Sequence, residues 1–532
     1  MSAFRTRRRH TAVTTAASVL AVTLLVAACG SSKASKATNG TSPTGSGGSS
    51  AGGSNDGTLN WEWQLPTSWD PITSSAGWDV HDLSLVYSSI TSLDAKGNAI
   101  PGVASSWVFS ADGKTVTFTI RPNLKFSDGT PLDAEAVKDN ILRDRDTPKS
   151  NLASQLAIVS DVKVLSPTSV ELDLSEVDYQ LPNVLGGKTG ELVSPAAFKS
   201  NAAGLATQPV GAGPFTLTSY VPDSHANLVR NPSYWNASNI HLAKFSVQSI
   251  TDPQQILAAL ESGQVNVAAI AGTQVKAAKA AGFNVDVIPA LPVVELDLKT
   301  SVAPYNNPKV VQAINYAIDR QALLQAQQGG YGSVSYQPFP QGYVGYDPKL
   351  ANLYPYSVAK AKQLLSEAGY AKGVSITLTT TSIDDSLAEQ LQSQLKEAGI
   401  NVTIKDIAAD SFTQADYLNK TLSLAIDGTA GRESPLQMLQ VLYDQKGLMN
   451  ATGLTATEPA AVTSALNAVQ GVALDSPNYP SALLAAVDAS VQDEPVHVWL
   501  YYTPRILAVS PKVTGLPFDL VQQRFEGVRV AK

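Results

Sequence analysis

Between residues 114 and 121 the chain reads KTVTFTIR, in which Val116, Phe118 and Ile120 alternate with Thr115, Thr117 and Thr119. A period of two sends the apolar set to one face of an extended chain, which predicts a half-buried strand. SVELDL, with Val170, Leu172 and Leu174, repeats the pattern. In TDPQQILAALESGQVNVAAI the spacing becomes helical. Ile256, Leu257 and Leu260 share a face, Asp252 is placed to cap the start, Pro253 suits the first turn and Gly263 the end. VNVAAI predicts the strand that follows.

The second half contains a complete strand–helix–strand unit. Val374, Ile376 and Leu378 mark a strand; Leu387, Leu391 and Leu395 mark a helix closed by Gly399; Val402 and Ile404 mark a second strand. LSLAID, with Leu422, Leu424 and Ile426 on one face, predicts a further strand ending at Asp427. Ligands of open α/β sheets gather outside the carboxyl ends of strands, so the loop 427–435 is expected to line a crevice. The interleaving of both element types predicts an α/β class with mixed sheets, and no repeat of fixed period interrupts it.

Residues 1–28 follow a different pattern. Arg5, Arg7, Arg8 and Arg9 precede an apolar stretch to Val26 and the small residues Ala27 and Ala28, the form of an export signal that is removed. The apolar part is short for a membrane span, which leaves an uncleaved anchor as the alternative. Cys29 is the single cysteine of the chain. VAACG resembles the lipobox of bacterial lipoproteins, which implies that Cys29 is diacylated and becomes the new amino terminus; a small buried hydrophobe is the other reading of a lone thiol. Each acyl methylene in a bilayer stabilises by ~0.8 kcal/mol, so a pair of chains moors a folded body stably. An acylated Cys29 leaves no thiol for a disulfide, though the compartment permits one. Residues 29–57 continue without a large apolar side chain and predict a flexible tether, with a glycosylated stalk as the compositional alternative.

Composition adds two constraints. With 44% hydrophobic and 16% charged residues in 532, the part from Thr58 onward suits a well-buried body of two or three lobes. The formal charge of −7 becomes −11 once the four signal arginines leave, so bulk electrostatics offers nothing to nucleic acid. The histidines, His10, His81, His225, His241 and His497, show no metal-ligand spacing. GSSAG at 48–52 fits G-x-S-x-G but lies in the tether, away from any strand–turn–helix. Asp384 and Asp385 together suit the start of a helix. A secreted hydrolase would have to work with scattered residues.

Six stretches then occur in a fixed order: ASSWVFSADGKTVTFTIRPNLKFSDGTPLDAEA at 104–136, PVGAGPFTL at 209–217, LVRNPSYW at 228–235, LAALESGQVNVA at 257–268, NNPKVVQAINYAIDRQALL at 306–324 and GYVGYDP at 342–348. Together they resemble the extracytoplasmic solute-binding proteins of ABC importers for oligopeptides, dipeptides and nickel, family 5. Most also have a plain structural reading: SADGK is a hairpin turn, Asp133 caps a helix, and Val311, Ile314 and Ile318 form a core stripe. The resemblance implies a two-lobed periplasmic-binding-protein-like α/β fold with two crossover segments. Mapped by order, lobe I takes 58–290 and 500–532 with a subdomain inserted at about 90–207, and lobe II takes 291–499. It further implies a lipid-anchored monomeric receptor on the outer face of the cell membrane. Such a receptor closes on a peptide or peptide-like solute and delivers it to permease and ATPase subunits, with no cofactor, metal or covalent step of its own. A binder of sugars or metal chelates and an envelope sensor without transport are the alternatives within the same fold.

In peptide-binding members of this family the strand before a DP motif lies along the ligand. The corresponding run here is WEWQLPTSWDP, which points to Gln64, Leu65 and Pro66 in the cleft with Trp63 beside them, although a tryptophan there equally suits the core. Those members also carry a tryptophan and an aspartate ahead of a proline in the second lobe, the aspartate pairing with the ligand's amino group. In AIDGTAGRESPLQML, Gly428 and Gly431 stand in their places. Asp427 or Glu433 is then the candidate for the negative charge, and Arg432 for binding an anion instead. Tyr331, Tyr336 and Tyr501 suit either an aromatic cleft wall or the bracing of loops.

Overall fold

The computed structural model describes residues 57–445, 447–452, 459–517 and 522–531. The expected export signal, Cys29 and the tether up to residue 56 lie outside the described residues. The first strand, Gly57–Glu62, begins at the residue expected to end the tether.

Two large sheets organise the chain. The first runs Phe215–Val221, His225–Arg230, Leu242–Gln248, Gly57–Glu62, Val267–Ala269, Arg505–Val509, Asn284–Ile288. Gly57–Glu62 pairs in parallel on both sides, whereas Arg505–Val509 is antiparallel to both neighbours. The second runs Ser333–Val334, His497–Tyr502, Val293–Leu298, Leu424–Thr429, Val374–Thr380, Ile400–Asp406, and it too mixes parallel and antiparallel pairs. Among the described residues only two short segments, 289–292 and 503–504, pass directly from a strand of one sheet to a strand of the other. The boundary expected at 500 falls inside His497–Tyr502, whose pairing with Val293–Leu298 holds it in the second sheet until Tyr502.

A third, four-stranded antiparallel sheet is built from the inserted segment: Ala104–Phe109, Thr115–Ile120, Ser169–Leu174 and Val159–Ser166. Its hairpin turns at SADGK, where Asp112 accepts from Ser110 Oγ and Lys114 N, and Gly113 takes the left-handed backbone with φ 69°. Val116, Phe118 and Ile120 are buried with Val170, Leu172 and Leu174 beneath helix Ala134–Asp146. Asp133 caps that helix through Glu135 N and Ala136 N.

Other local readings hold in the same way. Asp252 caps Pro253–Glu261 by accepting from Gln254 N. Leu387, Leu391 and Leu395 are buried on Asp385–Glu397 between parallel strands Val374–Thr380 and Ile400–Asp406. The strand expected to stop at Asp427 instead spans Leu424–Thr429, because Thr429 still pairs with Val293. No helix among the described residues is long and apolar enough to cross a membrane.

Candidate functional site

A cavity of about 500 Å³ opens between the two large sheets, a size that accommodates a small-molecule ligand. Trp63, Gln64, Gly77, Trp78 and His81 line it from the first sheet's side; Val293, Val294, Gly428, Thr429 and Ala430 line it from the second. Ala290, Pro292, Thr503 and Pro504 close its back. These four belong to both passages between the sheets, so the cavity sits where a hinge would work.

Each wall has a local cause. Trp63 leaves strand Gly57–Glu62 stacked on buried Trp61, 5.0 Å between centroids and 10° between planes. Trp78, 40% exposed, is presented by the turn Gly77–Asp79. Buried Asp79 fixes that turn by accepting from Thr67 N at 3.1 Å, Ser74 Oγ at 2.7 Å and the hydroxyl of Thr67. Gly428 follows Asp427, whose Oδ1 accepts from the Gly428 amide at 2.7 Å. His81 stands on helix Val80–Val86 and meets the Trp63 ring edge-on at 5.2 Å. Burial and the neighbouring Arg505 keep its ring neutral by pushing its pKa well below the ordinary value.

Of the residues singled out from sequence, Trp63 and Gln64 line the cavity, and the loop beyond Asp427 contributes Gly428, Thr429 and Ala430. The others lie elsewhere. Leu65 is half-buried against the core of the first sheet and Pro66 is buried, because the chain turns inward after Gln64. Tyr331 is partly buried against the core cluster that contains Ile256, Leu260 and Ile506, and Tyr336 lies under the Arg320 guanidinium at 4.5 Å. Tyr501, 3% exposed, belongs to the core of the second sheet. Arg432 donates to Gly431 O at 2.7 Å, and Glu433 rests against Gly187, where an added Cβ would lie 2.3 Å from its Cγ. The expected position of a second-lobe aspartate, Gly431, has φ 87°, and a Cβ there would lie 2.5 Å from that of Leu291.

Asp427 points into a buried polar layer rather than the cavity. Tyr417 OH donates to its Oδ2 at 2.6 Å, and Glu295, Asp297, Asp416 and His497 complete the layer on one face of the second sheet. His497 Nε2 lies 3.2 Å from Leu442 O, an acceptor only, so Nε2 carries a proton. Asp297 Oδ1 lies 2.7 Å from Nδ1, so a further proton is shared between the carboxyl and the ring. The pKa directions agree: burial raises Asp297 well above and lowers His497 to about 4. Asp416 is pushed up to about 8 by burial and by the Asp297 and Asp427 charges. Burial and like charge favour the protonated form of these carboxyls, and Tyr417 holds Asp427 within the layer.

The segment 431–437 instead touches the inserted subdomain. Buried Gln180 accepts through Oε1 from Ser434 Oγ at 2.9 Å and from Tyr479 OH at 3.2 Å, and Gln437 Nε2 donates to Gln155 Oε1 at 3.0 Å. These bonds join Ser434, Gln437 and Tyr479 on the second-sheet side to Gln155 and Gln180. Sequence reasoning missed Trp78, His81 and Arg505 among the lining residues. Arg505 does leave a trace, as the one charged residue opening the apolar strand RILAV.

Residues 98–449 match the family model described as bacterial extracellular solute-binding proteins, family 5 Middle. The glutathione-binding protein GsiB of Salmonella paratyphi A is 28% identical over 330 residues, 60% of this chain and 63% of that protein. The chain thus aligns with less than two thirds of this relative's length. Among solved structures, DppA of Helicobacter pylori in complex with the peptide STSA superposes with TM-score 0.78 at 24% identity, over 90% of this chain and 98% of DppA. NikA of Brucella suis in complex with Fe(III)-EDTA superposes with TM-score 0.77 at 23% identity, over 89% and 100%. At these identities the structural likeness establishes the two-lobed α/β fold.

Proposed function

The chain belongs to family 5 of the bacterial extracellular solute-binding proteins, and from that premise we propose that it captures a peptide-like solute between its two sheets and hands it to the permease and ATPase subunits of an ABC importer. The observation that carries this reading is the cavity of about 500 Å³, walled by both sheets and backed by both passages between them. A solute seated there touches both bodies at once, so its binding energy favours the closed arrangement that a permease would recognise. Binding and release are the whole cycle, without a covalent step. The relatives named for glutathione and the neighbour holding a four-residue peptide support a short peptide or peptide-like solute.

The mooring belongs to the same proposal. Lipid on Cys29 with the Gly- and Ser-rich stretch behind it would keep the receptor at the outer face of the membrane, as a monomer within reach of its permease. The test joins two measurements on one protein. Mass spectrometry identifies the solute that co-purifies, and small-angle scattering follows the shape as that solute is removed and restored. A contraction on restoring it, with loss of its uptake in a deletion strain, is the expected outcome; a shape indifferent to any solute, with uptake intact, overturns the reading.

A further inference from the structure

The buried layer on the second sheet gathers carboxyl groups from three separate pieces of chain. Glu295 and Asp297 enter it from strand Val293–Leu298, Asp427 from Leu424–Thr429 and Asp416 from the turn 414–418. One oxygen from each of Asp297, Asp416 and Asp427 lies within 4.8 Å of the others. Asp297 is 2% exposed. Its Oδ1 faces His497 Nδ1, whereas its Oδ2 is buried and meets no hydrogen-bond donor among the described residues. The carboxyls of Asp416 and Asp427 lie beside it, and when ionised they only accept. Three acceptors therefore face one another.

Two groups of positive character stand near them, and both are engaged elsewhere. Lys420 gives its three N–H bonds to the carbonyls of Gly447, Leu448 and Asn450, and so donates to none of the carboxyls. His497 donates through Nε2 to Leu442 O and turns only Nδ1 to Asp297. A metal cation suits the gap. An ion bonded to oxygen at about 2.3–2.6 Å joins ligands up to about 5 Å apart, the spacing of these three oxygens. With oxygen donors alone, a hard ion such as calcium or manganese is favoured over one that prefers thiolate. Hydrogen bonds already hold two of the ligands, as the partners of metal-binding side chains do: His497 on Asp297, and on Asp427 the Tyr417 hydroxyl at 2.6 Å with the Gly428 amide at 2.7 Å. Asp427 is only half-buried, which leaves an ion a path from solvent. Without an ion the same carboxyls must share protons.

We propose that Asp297, Asp416 and Asp427 hold a hard divalent cation, which pins the turn 414–418 to the strand whose end, Gly428 and Thr429, lines the cavity. The ion is structural and takes no part in binding solute, so the site stands apart from the receptor reading above. The test uses the purified protein, stripped with EDTA and exchanged into metal-free buffer. Calorimetric titration with calcium chloride and with manganese chloride is expected to show about one ion bound per chain for at least one of the two metals. The same ion at saturation should raise the melting temperature by about 2 °C or more, and sodium chloride of equal ionic strength should not. Asp416→Asn and Asp427→Asn should each weaken that binding about tenfold or more, the scale on which loss of even a ligand's supporting partner acts, and shrink the ion-dependent rise in melting temperature. Melting curves without ion confirm that the variants fold. If neither ion gives a saturable heat or a shift in melting, the proposal is overturned from the wild-type protein alone. Folded variants that bind as tightly as the wild type place the ion elsewhere and overturn it too. Either failure, with contraction on solute intact in scattering, leaves the receptor reading standing.

Discussion

At the residue scale the sharpest consequences come from buried charge and from backbone conformation. Asp416 holds its proton to about pH 8 in the folded chain, whereas an exposed aspartate releases it near pH 4. Between those values the folded state binds the extra proton, so this group makes stability fall as pH rises, by at most ~1.4 kcal/mol per pH unit. Asp416→Asn removes the charge that must be suppressed; urea denaturation at several pH values is expected to show a gentler decline from about pH 4 to 8 than the wild type. An identical slope in both proteins would mean that Asp416 titrates normally. Gly431 makes a second case. Its left-handed φ and the proximity of Leu291 leave no room for a side chain, so Gly431→Ala should destabilise by ~1 kcal/mol or more in the same assay. The position at which the sequence resemblance implied an aspartate is thus closed here by backbone geometry as well as by residue identity.

At the element scale, the start of helix Pro435–Tyr443 and the insert meet through Gln180. Its Oε1 serves two donors, Ser434 Oγ and Tyr479 OH, so Gln180→Ala leaves two buried hydroxyls without their acceptor. If the cleft opens to release its solute, as the proposed function requires, water replaces that acceptor in the open form. The variant should therefore bind solute about tenfold more weakly, through faster dissociation, while its melting temperature without solute stays near that of the wild type. Stopped-flow measurement of the dissociation rate checks this, and an unchanged rate would exclude the contact from closure. The strand Val293–Leu298 shows how an element can mislead: VVELDL has strand periodicity, yet Glu295 and Asp297 point into protein rather than water, at 0% and 2% exposure.

At the scale of the whole molecule, the proposed function depends on where the protein is held. If Cys29 carries lipid, Cys29→Ser should move the protein from the membrane or detergent phase to the soluble fraction, with solute affinity unchanged because the cavity is built from residues beyond 62. Protein that stays with the membrane would point to the uncleaved apolar segment as the anchor. The negative charge of the chain does not carry over to its cavity, where Arg505 is the one charged side chain in the lining among the described residues. Net charge describes the outer surface, and the ligand meets the local field.

The sequence by itself determined the elements and the family. Period-two and helical spacing, the caps at Asp133 and Asp252, and the SADGK turn are short-range effects, in which neighbouring residues supply both the cause and the partner. It also singled out Trp63 and Gln64 at the end of the first strand, which line the cavity. Tertiary structure alone decided which other side chains line it. Asp427 and Tyr501 sit on strands whose faces are assigned by sheet pairing, and His81 is held against Gln523 and Arg505, more than 420 positions away. Alternation along a strand says that two faces differ, but which one looks into the cleft is set by the layers packed on each side, and those are assembled from segments far apart in the chain.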